Sequence, residues 1–147
     1  MDLKDLYRDV ILDHNKRPRN FGVIAPPAIG AKGHNPLCGD QLTVYVDLVD
    51  GVIRDVKFEG TGCAISVASA SLMTEAVKGL DTAAFARLHA RVHEVLTQHD
   101  AEVPSDLGKL AALGGVREYP ARVKCASLSW RTLESALAGA HNAVTTE

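Results

Sequence analysis

Three cysteines and one aspartate are the residues of this chain best suited to chemistry. Cys38 and Asp40 stand two positions apart in Asn35-Pro36-Leu37-Cys38-Gly39-Asp40. Cys63 follows Gly60-Thr61-Gly62, and Cys125 follows Arg122-Val123-Lys124. Three thiolates and one carboxylate complete a tetrahedral zinc shell without water. Such a shell carries more negative charge than one divalent ion neutralises, so it asks for cations, and Lys124 and Arg122 are the obvious suppliers. Asp40 would be the hard oxygen ligand among soft sulfurs, and so the one expected to exchange most readily. The plain alternative is that each cysteine is a small buried hydrophobe. Spacing alone decides little, because it differs from the paired C-x-x-C pattern of structural zinc modules. The flanking turns and helix starts weigh more, since a thiolate can be exposed and stabilised there.

Composition bounds the setting. At 147 residues the chain fits one domain spanning 1–147. Hydrophobic residues make up 46% and charged ones 23%, the balance of an ordinary globular protein. A net charge of -2 implies no polyanionic partner, so nucleic acid is not expected. No apolar run reaches the ~20 residues of a membrane span, and the opening Met1-Asp2-Leu3-Lys4-Asp5 is too charged for a signal peptide. The cytoplasm is the expected location, where thiols stay reduced. Three cysteines, an odd number, also argue against a closed disulfide framework.

The elements that must position these residues follow from periodicity. Residues 2–16 read as an amphipathic helix with Leu3, Leu6, Tyr7, Val10, Ile11 and His14 on one side, capped by Asp2 and stopped by Pro18. His14 reads as a core histidine. The basic run Lys16-Arg17-Pro18-Arg19 is either a solvated helix end or a docking point. Residues 20–36 carry so many glycines and prolines that an irregular loop is expected, with no central strand. Gln41–Val49 alternates, Asp50-Gly51 signals a tight hairpin, and Val52–Glu59 returns with Val52, Val56 and Phe58 inward and Arg54 an imperfect member. Antiparallel return predicts that Cys38, Asp40 and Cys63 are neighbours.

A helix is expected over 64–78, ended by Gly79, with Cys63 at its N-terminus, where the helix dipole favours thiolate. A second runs over 82–98 with Asp81 as its cap and Phe85, Leu88, Val92, Val95 and Leu96 as its apolar stripe. His89 and His93 flank that stripe and read as a solvated face. Ser105 is expected to cap a short helix through Leu113, ended by Gly114-Gly115. A last helix over 124–140 places Ala126, Trp130, Leu133, Leu137 and Ala140 on one face, with Cys125 near its start and Trp130 as a core anchor. There is no glycine-rich phosphate loop and no G-x-S-x-G elbow.

Four stretches together carry a resemblance. They are Leu12-Asp13-His14 with Pro18-Arg19-Asn20, Asn35-Pro36-x-Cys38-Gly39-Asp40, Gly62-Cys63-Ala64-Ile65-Ser66 with Ala68-Ser69-Ala70-Ser71, and Arg122-Val123-Lys124-Cys125. In this order, over almost the whole chain, they resemble the iron–sulfur cluster scaffold superfamily of IscU and NifU N-terminal domains. Lys124, where IscU-type scaffolds carry a histidine, a longer stretch from Gly79 to Gly114, and Tyr119-Pro120-Ala121-Arg122 in place of a proline-rich motif are similar to its SufU branch. The resemblance implies an α+β fold, a small antiparallel sheet of about three strands packed against several helices. It implies zinc on Cys38, Asp40, Cys63 and Cys125, and sulfur accepted at Cys38 from a pyridoxal-phosphate cysteine desulfurase of the SufS type. With Asp40 beside Cys38 in the catalytic role, the sulfur would pass to downstream iron–sulfur assembly proteins. Two other readings stand beside this one: a scaffold carrying a transient [2Fe–2S] cluster on the same ligands, and a zinc module that only holds the fold.

Overall fold

The structure, a computed structural model, describes residues 3–98, 104–139 and 144–146. Helix α1 (Leu3–Lys16) precedes three strands, β1 (Ile29–Asn35), β2 (Asp40–Val49) and β3 (Val52–Thr61). Helices α2 (Ala64–Val77) and α3 (Thr82–Thr97) follow, then 3₁₀ turns over Ser105–Glu118 and Pro120–Arg122, helix α4 (Val123–Leu137) and the short strand β4 (Val144–Thr145). The sheet has the order β3-β2-β1-β4, antiparallel except for β4, which runs parallel to β1. It is thus a four-stranded mixed sheet in an α+β fold, one short strand more than expected. Among the described residues no helix is long and apolar enough to cross a membrane.

The hairpin forms as its sequence dictates. Asp50 and Gly51 both take positive φ, 52° and 78°, the turn whose twist matches the flanking strands. The inward set on β3 differs from expectation by one residue near the turn. Ile53 is buried in place of Val52, because the register slips between Asp47 and Leu48 and the extra residue reverses the alternation. Arg54 turns outward to pair with Asp47 at 3.1 Å.

The larger correction is β1, which the glycine and proline content of residues 20–36 argued against. Ile29–Asn35 lies inside the sheet between β2 and β4. Its prolines flank the strand, and its glycines serve close packing. Gly30 faces the ring of Tyr45, and a Cβ on Gly33 would run into Thr132 and Leu128 of α4. Only small side chains let α4 sit this close to β1.

Helices cover one face of the sheet. α2 and α4 lie on it and against each other, α1 packs on α2, and α3 packs on α4 and the 3₁₀ segment. The small residues of α2 permit that approach: Ala68, Ser69, Ala70 and Ser71 are all fully buried. Trp130 is buried as an anchor, its indole N–H on Ser69 Oγ at 3.2 Å. His14 is buried too, with Nδ1 2.7 Å from Ser71 Oγ, which also accepts the Arg19 backbone N–H. Asp81 caps α3 by accepting the Ala84 N–H at 2.7 Å. The expected cap Asp2 and face residue Ala140 lie outside the described residues.

The expected stop at Gly114-Gly115 is overturned: 3₁₀ turns continue through both to Glu118, with a break at Gly108, where φ is +60°. Gly115 is a packing position, since a Cβ there would overlap the ring of Tyr7 on α1. The segment begins at Ser105, after Pro104, so Ser105 stands within the first turn and not before it.

Candidate metal centre

The mouth of the β1–β2 hairpin builds the site. Asn35, the last residue of β1, pairs with Asp40, the first of β2. Residues 36–39 close the turn, with Gly39 at φ +71°, a left-handed conformation that suits glycine. Cys38 therefore rides on an exposed turn beside Leu37, which is 67% exposed, while Asp40 is fully buried. Opposite, β3 leads through Gly62 to Cys63, the N-cap of α2. The Cys63 sulfur accepts the Ser66 N–H at 3.4 Å, and the Cys63 N–H donates to Asp40 Oδ1 at 2.8 Å. Cys125, the third residue of α4, is fully buried.

Cys38 Sγ, Asp40 and Cys125 Sγ bring their donor atoms within 4.8 Å of one another, and the two sulfurs are 3.1 Å apart. Ligands ~2.0–2.3 Å from a tetrahedral ion stand roughly 3–4 Å from one another, so the three donors fit a zinc-sized cation in both type and spacing. The fourth expected ligand, Cys63, is next to Asp40 through its backbone. Its sulfur is turned to the α2 N-terminus and would have to rotate to join the group.

Charge accumulates here. Burial, contact with Cys38 and the nearby Cys63 and Asp40 push the Cys125 thiol far up, so a cation is what would hold it as thiolate. Arg122 supplies one positive group, its Nη1 3.1 Å from Cys38 Sγ. Its guanidinium is raised above its usual value, through Cys125 first and then the charge of Cys38. Lys124, the other candidate cation, is half-buried, and its carbonyl receives Ser127 and Thr146. Tyr7 flanks the site and stacks on Tyr119 at 6.2 Å; burial first, then Tyr119 and Cys63, raises its hydroxyl pKa.

The hardness of oxygen made Asp40 the expected leaving ligand, yet its surroundings are the most fixed of the group. Oδ1 takes the Cys63 N–H and Oδ2 takes the Asn35 amide at 3.2 Å. Among the described residues, exposed Arg122 and the neighbouring Cys125 are the partners that hold Cys38. In the sequence Asn35 and Gly62 stand as motif positions with no role attached. A Cβ at Gly62 would stand 2.7 Å from Asp40 Oδ1, so glycine there leaves room for the carboxylate. The pairing that puts Asn35 opposite Asp40 needs β1, which an irregular loop over residues 20–36 does not provide. Among the described residues His89 and His93 belong to no metal-binding group. His93 is exposed as expected, whereas His89 is partly buried between Phe85 and Trp130, because the indole draws the imidazole onto its face.

Comparison with known proteins agrees with this geometry. Residues 6–126 match the family described as NifU-like N terminal domain, and the chain belongs to that family. It is 43% identical over 137 residues to the zinc-dependent sulfurtransferase SufU of Bacillus subtilis, covering 93% of this chain and 92% of the relative. It is 39% identical over 146 residues to the iron–sulfur cluster assembly scaffold protein IscU of Thermotoga maritima, covering 93% and 96%. Its fold is similar to the crystal structure of a putative iron–sulfur cluster assembly scaffold protein for the SUF system from Fervidobacterium islandicum. The TM-score is 0.81 at 34% identity, over 90% of this chain and 97% of that one.

Proposed function

We propose that this protein serves iron–sulfur cluster assembly by accepting persulfide sulfur at Cys38 from a pyridoxal-phosphate cysteine desulfurase. The observation that carries the reading is the asymmetry of the site. Asp40 and Cys125 are buried and held by hydrogen bonds, whereas Cys38 sits on a glycine-hinged, exposed turn. Cys38, Asp40, Cys63 and Cys125 are the residues that would hold zinc. Zinc bound there would keep the sulfurs deprotonated at neutral pH.

Transfer itself is thiol–disulfide exchange. The Cys38 thiolate attacks the outer sulfur of the donor's persulfide, the donor S–S bond breaks, and the donor cysteine leaves as a thiolate. Cys38 then carries the new persulfide, with no net change in electrons. Arg122 stabilises the attacking anion and its product from 3.1 Å. Cys38 is also the ligand whose release costs least, because the turn at Gly39 can move without disturbing a helix or strand. The cytoplasm, where desulfurases and reduced thiols coexist, suits this chemistry.

The test is a sulfur-transfer assay with the purified protein and a cysteine desulfurase. The protein should accelerate alanine release from cysteine, and mass analysis should find one added sulfur on Cys38. Cys38→Ala should lose both while keeping its fold. Undiminished transfer by Cys38→Ala removes this residue from the mechanism. A second reading, a scaffold for a [2Fe–2S] cluster on the same ligands, is favoured by the similarity to the Thermotoga scaffold. Anaerobic reconstitution yielding a stable, transferable cluster in the presence of zinc would support it.

A further inference from the structure

Asn35 is fully buried and joins three elements at the site. It ends β1, faces Asp40 across the β1–β2 ladder and reaches α4. Its Nδ2 donates to Asp40 Oδ2 at 3.2 Å and to Cys125 Sγ at 3.3 Å. A primary amide has two hydrogens, so both are spent on candidate metal ligands. The side chain cannot be reversed at no cost, because its oxygen would then face a carboxylate oxygen and a sulfur. In the observed orientation Asn35 Oδ1, although buried, has no hydrogen-bond partner among the described residues. An unsatisfied buried carbonyl costs free energy that a purely structural residue would avoid. Its two side-chain hydrogen bonds go to Asp40 and Cys125 and, among the described residues, none goes to Cys38.

We infer that Asn35 is a positioning residue that keeps Asp40 and Cys125 aimed at the metal while Cys38 is away. The inference rests on the proposed reading, in which Cys38 departs to take sulfur. At that moment the ion would lose one sulfur and depend on its remaining ligands. Two of these are joined by one rigid amide. Each would otherwise be free to turn: Asp40 about its side-chain torsions, Cys125 between rotamers at the start of α4. Groups that orient metal ligands in this way contribute ~10–100-fold to metal affinity. Asn35 thus separates retaining the metal from releasing the nucleophile.

The test uses the full chain and two substitutions. Asn35→Leu removes both N–H donors and the unpartnered oxygen while keeping the branching of the side chain. Asn35→Ala is the second variant should leucine not fold. Each is made in the native protein and in Cys38→Ala, which reproduces the state with Cys38 withdrawn. Zinc affinity is read by competition with a chromogenic chelator, and cobalt(II) in place of zinc reports thiolate coordination through its absorption bands. The zinc-dependent gain in Tm is measured against the metal-free form of the same variant, so that a general loss of stability cancels.

The expected result is a ~10–100-fold loss of zinc affinity, a weakened cobalt–thiolate band and a smaller zinc-dependent gain in Tm. The effect should be larger in the Cys38→Ala background. An Asn35 variant that holds zinc and cobalt as the native protein does overturns the positioning role, and the sulfur-acceptor reading then stands on its own assay. A variant whose Tm falls equally with and without zinc shows a structural role only, which also overturns it. Native protein that binds neither ion overturns this inference together with the zinc-bound form of the proposed function.

Discussion

Substituting Gly33 tests whether β1 and α4 are held as close as the structure places them, since that approach delivers Cys125 to Asp40. In Gly33→Ala the new Cβ would lie 3.0 Å from Leu128 Cδ1 and 3.3 Å from Thr132 Cβ, and would overlap the Thr132 hydroxyl. Thr132 must then rotate, giving up the bond it donates to the Leu128 carbonyl at 2.7 Å. The lost bond costs about 0.5–1.5 kcal/mol and overpacking about 1–3, offset by about 0.4–1 from a stiffer unfolded chain, for a net loss of roughly 0.5–4 kcal/mol. For a domain of this size that corresponds to a fall in Tm of roughly 2–12 °C. The assay is a double-mutant cycle with Thr132→Ala, read by chemical denaturation. Thr132→Ala alone destabilises through its own lost bond, but it also opens the space that the Gly33→Ala methyl needs. The double variant should therefore be more stable than the sum of the two by about 1 kcal/mol or more. Additivity within about 0.5 kcal/mol would refute the close contact of β1 and α4.

Two further predictions concern the site and the core. Gly62→Ala should lower zinc affinity about tenfold, because the new Cβ 2.7 Å from Asp40 Oδ1 forces the carboxylate to shift. Competition with a chelator checks this, and an unchanged affinity would show that Asp40 does not need that space. His14 gives a pH dependence of stability. Burial first, then Arg19 and Lys109, lowers its pKa, opposed by Glu75 and Asp13. Glu75 Oε1 is 3.6 Å from Nε2, too far for a hydrogen bond. The folded protein therefore disfavours the charged imidazole, and the unfolded chain binds the extra proton first. This contribution is complete above the unfolded value of about 6.5 and is lost as pH falls from there through the folded pKa. His89 is lowered by burial in the same direction, so the two must be separated. His14→Asn keeps a partner for Ser71 without titrating, and should flatten the denaturation midpoint between pH 7.5 and 5. A variant with the same slope as the native protein would assign the dependence elsewhere.

The amino-acid sequence by itself settled whatever depends on neighbours along the chain. Periodicity places α1, α3 and α4 to within a few residues, because each must bury one face, and the Gly60-Thr61-Gly62 turn and Gly79 bound α2. Asp50-Gly51 dictated the hairpin and so the meeting of Asp40 with Cys63, because the turn sets the return of the chain. Asp81 and Cys63 were legible as helix starts for the same local reason. The four candidate ligands stood out by residue type and motif, whereas their roles did not. Only the tertiary structure decided that Gly30, Gly33 and Gly115 mark close approach and not interruption. A glycine reads alike in both cases until the surface opposite it is known. The same limit hid Asn35, which reaches across the sheet and onto α4, and the contact that brings Arg122 to the Cys38 sulfur. Ready exchange of Asp40, expected from ligand type alone, is likewise a matter the fold decides. Ligand hardness belongs to the residue, but burial and hydrogen bonding belong to its place in the fold, and these hold Asp40 and leave Cys38 free to move.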